Sequence, residues 1–238
     1  MIFNSKEYTD KKMNLSKNQK KQLLEKLLSF ISDHKNQLFD QIIQNRTRFL
    51  TVVLEDIYQP QNASAVLRTA DCFGIQDVHI IENRNEYMIN PEVALGASKW
   101  LTLHRYNQKK NNTLDAIKSL KKRGYRIVAT MPHRNDVMLP DMDMSEKTAL
   151  FFGNELNGLS DLVQEHADLF VKIPMYGFTE SYNISVSAAL CLQQLTNKMR
   201  AGSEEWKLND SALLDVKLAW AKSVVKEAEK VEKLMFAV

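Results

Sequence analysis

The chain has 238 residues, of which 44% are hydrophobic and 26% are charged, a composition typical of a globular protein. No apolar stretch is long enough to span a membrane, and the polar, Lys-rich segment 1–21 lacks the apolar region of a secretory signal. We therefore expect a cytoplasmic protein without a membrane partner, in which the isolated Cys72 and Cys191 are small core residues rather than a disulfide.

The net charge of +3 is unevenly distributed. Residues 1–48 carry ten Lys/Arg and five Asp/Glu, whereas residues 198–238 carry eight and seven. A basic N-terminal arm indicates a polyanionic partner. The alternative is that these charges only solvate the outer face of a helix.

Apolar residues recur with helical spacing over 15–45, and strand-length apolar runs then alternate with helical segments. The predicted strands are 49–54, 78–81, 126–130, 149–152 and 169–173, and the predicted helices that follow are about 63–73, 113–122, one from 160, 183–199 and 209–235. Gly74 and Gly124 lie where a glycine would end the first two of these helices. The alternation predicts an α/β fold with a mostly parallel sheet covered by helices on both faces.

Ligands of such sheets bind beyond the carboxyl ends of the strands, and three polar turns are predicted there, at 55–68, 153–160 and 174–183. The second turn almost matches a P-loop, with Gly153 and Gly158 at the right spacing. Leu159 replaces the lysine that meets the β- and γ-phosphates. We therefore expect this turn to hold something other than a triphosphate.

Each turn contains a residue with two interpretations. Arg68 either rests its stem on apolar surface or is held near a phosphate or a reacting hydroxyl. Glu155 is either a helix-capping acid or a partner of Arg68. Ser181 is either a plain helix cap or a site residue, and Asn62 or Ser64 is expected to cap the helix of the first turn.

Other chemistries are disfavoured by missing patterns. Gly-x-Ser-x-Gly is absent, which counts against a serine hydrolase. The chain has seven glycines and no Gly-x-Gly-x-x-Gly, which counts against a dinucleotide site. The five histidines show no metal-ligand spacing, so no metal is predicted.

Taken together and in this order, the three turns resemble the three motifs of the SpoU or TrmH-type RNA 2′-O-methyltransferases of the SPOUT class. The motifs lie at 62–74 (NASAVLRTADCFG), 151–160 (FFGNELNGLS) and 173–189 (IPMYGFTESYNISVSAA), and the segment 96–100 (GASKW) also resembles the family. Three motifs at these positions are far more specific than any one of them.

The resemblance covers about residues 49–200 and implies a SPOUT methyltransferase domain there, with a C-terminal trefoil knot. A basic helical extension would then occupy 1–48, and a second helical extension would occupy 201–238. The resemblance also implies S-adenosylmethionine as the cofactor and a homodimer whose site is built from both chains.

The resemblance further implies roles for individual residues. In catalysis it implies Arg68, Asn62, Glu155, Ser181 and Asn183, and in cofactor binding it implies Thr130, Gly153, Asn154, Glu155, Ile173, Met175, Ser181 and Asn183.

The implied reaction is an in-line transfer of a methyl group to a ribose 2′-oxygen, which requires positioning of both centres and removal of the hydroxyl proton. The family would give Arg68 the base role, although a guanidinium has no acceptor and a pKa above about 12. Arg68 is either locally deprotonated or stabilises the developing alkoxide, and we favour stabilisation. Gln61 stands where many relatives have His, which puts substrate orientation at that position in doubt.

The helical extensions resemble the branch that methylates guanosine 18 in the D-loop of tRNA. The alternatives are the same chemistry on rRNA or on the tRNA wobble ribose, and a non-catalytic RNA-binding knot protein. A generic nucleotide-binding α/β enzyme is the third class, which the absent fingerprints disfavour.

Overall fold

The computed structural model describes residues 15–131 and 137–236. Within them the strands and α-helices are β1 Leu50–Glu55, β2 Asp77–Ile81, β3 Thr102–Tyr106, β4 Arg126–Thr130, β5 Val137–Met138, β6 Thr148–Phe152, β7 Leu169–Lys172, α1 Lys17–Leu28, α2 Asp33–Ile43, α3 Pro60–Cys72, α4 Pro91–Ala94, α5 Thr113–Lys122, α6 Asp161–His166, α7 Ile184–Ala201, α8 Asp210–Val224 and α9 Ala228–Phe236. The first part of the Lys-rich N-terminal arm, up to residue 14, lies outside the described residues.

The seven strands form one sheet in the order β3-β2-β1-β6-β4-β7-β5, and every neighbouring pair is parallel. All the carboxyl ends therefore lie along one edge of the sheet. The predicted α/β fold with a parallel sheet is confirmed. The trefoil knot that the family resemblance implies stays a prediction.

Alternate residues of the central strands enter two separate cores. Val52 and Leu54 of β1 pack into a cluster with α3 and α7, whereas Val53 packs into a second cluster with α5 and α6. Phe152 and Phe151 of β6 divide in the same way. Both faces of the sheet are therefore covered, which explains why its strands read as continuous apolar runs.

The chain divides into two compact units, one of residues 44–208 and one of the segments before and after it. The sheet belongs to residues 44–208. In the other unit, α1 and α8 pack through Leu23, Leu27 and Leu218, and Lys20 Nζ forms an ion pair with Asp215 Oδ1 at 2.8 Å. Phe39 meets Trp220 edge to face. Helices from both ends of the chain thus share one core.

Several local expectations were wrong. The predicted helix over 15–45 is two helices, because the helical conformation is interrupted between Leu28 and Asp33. The predicted final helix is likewise interrupted between Val224 and Ala228. Cys72 is exposed because it lies at the last position of α3, whereas Cys191 is buried as expected.

The strand β3 was missed because its residues are only partly buried and alternate weakly. Gly74 and Gly124 do follow α3 and α5, at positive φ of 78° and 79°. No helix in the described ranges is both long and apolar enough to cross a membrane.

Candidate active site

The first and second polar turns lie side by side because β1 and β6 are neighbours in the sheet. β1 ends at Glu55 and β6 ends at Phe152, so the chain leaves both strands at the same edge. The third turn leaves β7, which β4 separates from β6, and leads into α7. Side chains of all three turns nevertheless meet.

Asn62 lies within the first turns of α3 and is almost completely buried, at 7% exposure. We expected Asn62 or Ser64 to cap this helix, and that expectation was wrong: Gln59 is the N-cap and Pro60 occupies the first helical turn. The Asn62 amide is therefore free to face other turns. Ser64, fully buried, accepts a hydrogen bond from the Asn90 backbone N–H at 2.8 Å.

Glu155 joins the second turn to the first. Its Oε1 accepts a hydrogen bond from Asn62 Nδ2 at 2.7 Å, and its Oε2 accepts one from the Tyr58 backbone N–H at 3.2 Å. Glu155 therefore does not cap α6, whose N-cap is Ser160. In the described part of the chain it forms no direct ion pair with Arg68 either, so any effect of Glu155 on Arg68 passes through Asn62, and its role as a partner of Arg68 stays a prediction.

Asn183 joins the third turn to the same network. Its Nδ2 donates to Asn62 Oδ1 at 3.1 Å, and its Oδ1 accepts from the Ser185 backbone N–H at 2.9 Å. Asn183, not Ser181, is thus the N-cap of α7. The hydrogen-bond network Glu155–Asn62–Asn183 consequently fixes the three turns to one another through the buried side-chain amide of Asn62.

The second turn is itself closed by backbone. Asn154 and Gly158 exchange two backbone hydrogen bonds, of 3.0 and 2.8 Å, and Gly158 has a φ of +68°. A Cβ at Gly153 would lie 2.2 Å from the Gly158 backbone, so no larger residue fits there without moving main chain. Leu159, at the lysine position of a P-loop, is buried against Phe151 and Val163, which agrees with the expectation that this is not a triphosphate loop.

Arg68 is exposed on α3, and no described residue forms a hydrogen bond or an ion pair with its guanidinium. Because it lies six residues after Asn62 on one helix, it is on the element that the network holds. The five donors of a guanidinium are therefore available to an oxygen of a bound substrate.

The remaining residues implied in cofactor binding lie at or after the carboxyl ends of two strands, β4 and β7. Thr130 is the last residue of β4, and its hydroxyl donates a hydrogen bond to the Phe151 carbonyl, with an Oγ1 to O distance of 2.7 Å. Ile173 and Met175 follow β7 and are half-buried, while Ser181 is exposed. These side chains are neutral, so none would repel a cationic sulfonium, which fits the implied cofactor.

Sequence reasoning missed two residues that hold the site. Asp56 adopts a positive φ of 52°, its carbonyl accepts from Asn154 Nδ2 at 2.7 Å, and its Oδ1 accepts from the backbone N–H groups of Asn83 and Arg84 at 2.6 and 2.9 Å. Tyr58 donates to Glu155. The Asp directly after a buried strand was the available signal for Asp56, whereas a backbone donor such as that of Tyr58 leaves none.

The amino ends of the strands, opposite the candidate active site, carry a polar cluster that residue spacing did not reveal. The β2–β3 register places His79 beside His104, and with Asp77 their ligand atoms lie within 4.8 Å of one another. The Asp77 carboxylate, however, accepts from Arg48 Nε at 2.9 Å and from an Arg123 guanidinium nitrogen at 2.6 Å. Two guanidinium groups on the only carboxylate disfavour a cation there.

Burial alone would raise the pKa of Asp77, but its hydrogen bond with His104 and the charges of Arg48 and Arg123 hold that pKa well below its ordinary value. Burial, together with the charge of His104, lowers the pKa of His79 from 6.5 to about 3. His79 is therefore neutral in the folded protein at pH 7, and the Asp77 carboxylate is already bound by two protein cations.

The fold and the network define an α/β protein with a candidate ligand site at the carboxyl edge of a parallel sheet. The family model described as SpoU rRNA Methylase family matches residues 49–193, which is more than half of the chain. The chain belongs to the SpoU methylase family.

Named relatives and a solved structure agree with this assignment. The tRNA (guanosine(18)-2′-O)-methyltransferase of Borreliella burgdorferi is 44% identical over 209 residues, 88% of this chain and 94% of the relative. The enzyme of the same name from Thermus thermophilus is 30% identical over 172 residues, 72% of this chain and 87% of the relative. The crystal structure of the A. aeolicus TrmH/SpoU tRNA modifying enzyme superposes with a TM-score of 0.70 at 27% identity, over 86% of this chain and all of that chain.

Proposed function

We propose that this protein transfers a methyl group from S-adenosylmethionine to the ribose 2′-oxygen of guanosine 18 in tRNA. The observation that carries the proposal is the Glu155–Asn62–Asn183 network, which joins the three family motifs beside an exposed Arg68. The two named relatives, one of them matched over nearly its whole length, support guanosine 18 as the target. When bound, S-adenosylmethionine supplies the methyl group.

In this proposal Arg68 stabilises negative charge that develops on the ribose 2′-oxygen, because a guanidinium can donate hydrogen bonds but has no acceptor. Asn62, Glu155 and Asn183 keep α3, and with it Arg68, in register with the other two turns. The backbone turn around Gly153 and Asn154 and the strand ends at Thr130, Ile173 and Met175 would hold the cofactor, and Ser181 and Asn183 would orient the loop after β7.

We also propose that two copies of the chain form the working enzyme in the cytoplasm. Large apolar side chains stand in solvent on the third turn and on α7, including Phe178, Val186 and Leu190. Such a patch beside a polar site is typical of a surface that a second protein covers. Light scattering of the purified chain should give the mass of a dimer, and a monomeric mass at micromolar concentration would contradict this part of the proposal.

We retain the functional division in which 49–200 is the methyltransferase domain, 1–48 is a basic extension that binds RNA and 201–238 is a helical extension. If phosphate contacts by residues 1–21 drive affinity, deleting them should weaken tRNA binding and flatten its salt dependence.

The test of the function uses the full chain, labelled S-adenosylmethionine and two tRNA transcripts that differ at one atom. The first carries guanosine at position 18, and the second carries 2′-deoxyguanosine there. Label should enter only the first transcript. Entry of equal label into both would place the methyl group elsewhere in the RNA, and entry into neither would contradict the function itself.

Arg68→Ala should lower methyl transfer at least about 100-fold, because it removes the donor to the forming oxyanion. Lys122→Ala is the matched control: it removes one exposed charge from the far end of α5 and should leave the rate unchanged. The thermal midpoint of Arg68→Ala should match that of the wild type. If the methyl-transfer rate of the wild-type protein rose steeply only at strongly alkaline pH, that result would instead favour Arg68 as the base.

A further inference from the structure

A recess of about 690 Å³ opens at the carboxyl edge of the sheet, beside the candidate active site. The loops that follow β1, β2, β3 and β6 form its walls, at Tyr58, Arg84, Lys110 and the second turn at 154 and 156–158. Pockets of this size hold small ligands or single nucleotides. Of the residues proposed to bind the cofactor, only Asn154 lines this recess.

The acidic groups in the recess are already bound to protein donors. Glu55 is buried, and its carboxylate accepts hydrogen bonds from Thr113 Oγ1 at 2.6 Å and from the Ser160 backbone N–H at 2.9 Å and Oγ at 2.7 Å. Asp56 Oδ1 accepts from the backbone of the loop after β2. Both carboxylates therefore accept hydrogen bonds that stabilise the loops around the recess.

The groups that remain open to a ligand are of a different kind. Arg84 and Lys110 are exposed, and neither the Arg84 guanidinium nor the Lys110 ammonium has a hydrogen bond or an ion pair with any residue in the described ranges. The Tyr58 ring is 66% exposed at the same rim. Two cations beside an accessible aromatic ring form the combination that binds single-stranded nucleic acid, through phosphate contacts and base stacking.

The recess and the candidate active site share the second turn. Glu155 of this turn faces Asn62, while the residues on either side of it, Asn154 and Leu156, line the recess. The Tyr58 backbone N–H donates to Glu155, so the ring at the rim and the network are connected by one hydrogen bond. A ligand in the recess therefore lies next to the site of methyl transfer.

We propose that this recess binds a nucleotide of the RNA substrate that flanks the methylated one, with Arg84 and Lys110 on its phosphate and Tyr58 stacked on its base. This inference rests on the proposed function. It adds the path that the RNA strand follows on the protein beyond the reacting ribose. It makes Arg84, Lys110 and Tyr58 determinants of RNA affinity rather than of the chemical step.

The test measures RNA binding separately from methyl transfer. Arg84→Ala combined with Lys110→Ala is compared with Lys118→Ala combined with Lys122→Ala, which removes the same charge from exposed positions on α5. Fluorescence anisotropy of labelled tRNA gives the Kd and its salt dependence, and steady-state methyl transfer gives KM for tRNA and kcat.

We expect the Arg84/Lys110 variant to raise Kd and KM for tRNA about tenfold or more and to lower the salt slope by about 1 to 2, with kcat within about twofold of the wild type. Tyr58→Leu should weaken binding severalfold, and Tyr58→Phe, which keeps the ring, should restore it. Cofactor binding, measured by calorimetry, should be unchanged in all variants.

Equal Kd values for the Arg84/Lys110 and Lys118/Lys122 variants would overturn the inference, as would equal Kd values for Tyr58→Leu and Tyr58→Phe. Loss of cofactor affinity in the Arg84/Lys110 variant would assign the recess to the cofactor instead. A wild-type chain that binds tRNA but transfers no methyl group would refute the proposed function, and the anisotropy comparison would still decide the inference.

Discussion

The two edges of the sheet both carry polar clusters, but they use their polar groups differently. At the amino edge, the Asp77 carboxylate is 1% exposed and engages two arginines and a histidine. At the carboxyl edge, Glu155, Asn62 and Asn183 bind one another and leave the Arg68 guanidinium open. A cluster whose carboxylate is already bound to protein cations stabilises the fold, whereas one that holds an unpaired cation in position can act on a ligand.

The largest expected effect is on the stability of the fold, which should depend on the cluster at the amino edge of the sheet. Asp77→Ala should lower the free energy of unfolding by about 3 kcal/mol, because it leaves Arg48 and Arg123 without their counter-ion. Asp143→Ala, which removes an exposed partner of Arg126, should cost at most about 1 kcal/mol. Urea titration gives both values. If Asp77→Ala also abolished methyl transfer in molecules that remain folded, the amino edge would not be purely structural.

The next effect is on the rate of methyl transfer, which should depend on the network at the carboxyl edge of the sheet. Asn62→Ala should lower kcat about 100-fold, because the three turns lose the amide that joins them and Arg68 is no longer held in place. Its cost in stability should be only about 1 kcal/mol. Asn183→Ala added to Asn62→Ala should lower kcat by less than the product of the two single losses, since both changes break the Asn62–Asn183 hydrogen bond and only the α7 cap is lost in addition. Additive losses in the double variant would show that the two asparagines act independently.

The smallest effect concerns pH. Because the pKa of His79 is near 3 in the folded protein and 6.5 is its ordinary value, the unfolded chain binds a proton first as the pH falls. Stability from His79 is thus present above pH 6.5 and is lost between about pH 6.5 and 3, amounting to about 2 kcal/mol by pH 5. The depressed pKa of Asp77 adds a loss of the same sign at lower pH.

The variant His79→Gln isolates the contribution of His79 to the pH dependence of the unfolding free energy. Its unfolding free energy should fall less than that of the wild type between about pH 7.5 and 5, the range in which the unfolded wild-type chain takes up the proton. The groups that face His79 are His104, Asp77, Arg123 and Tyr106, and the variant retains them all. Parallel pH profiles for the two proteins would mean that His79 is not held neutral.

The sequence by itself determined the parallel α/β sheet, the order of its main elements and the identity of the three turns. Apolar runs such as 149–152 are buried on both faces, and glycines such as Gly74 adopt the positive φ that other residues avoid, so local pattern and local energy agree. The motifs could be found for the same reason, because a tight turn such as the one after Gly153, where a Cβ has no room, allows few residue types.

Only the tertiary structure decided which side chains meet. Asn62 and Glu155 are 93 residues apart and Asn62 and Asn183 are 121 apart, and their contacts depend on strand order. The same applies to His79 and His104, which the β2–β3 register brings together, and to the recess, which four loops share. Residue spacing encodes periodicity along one element, whereas hydrogen bonds between loops depend on how distant elements pack. The sequence therefore named candidate residues of the site, and only packing showed that Glu155 binds Asn62 while the Arg68 guanidinium stays exposed.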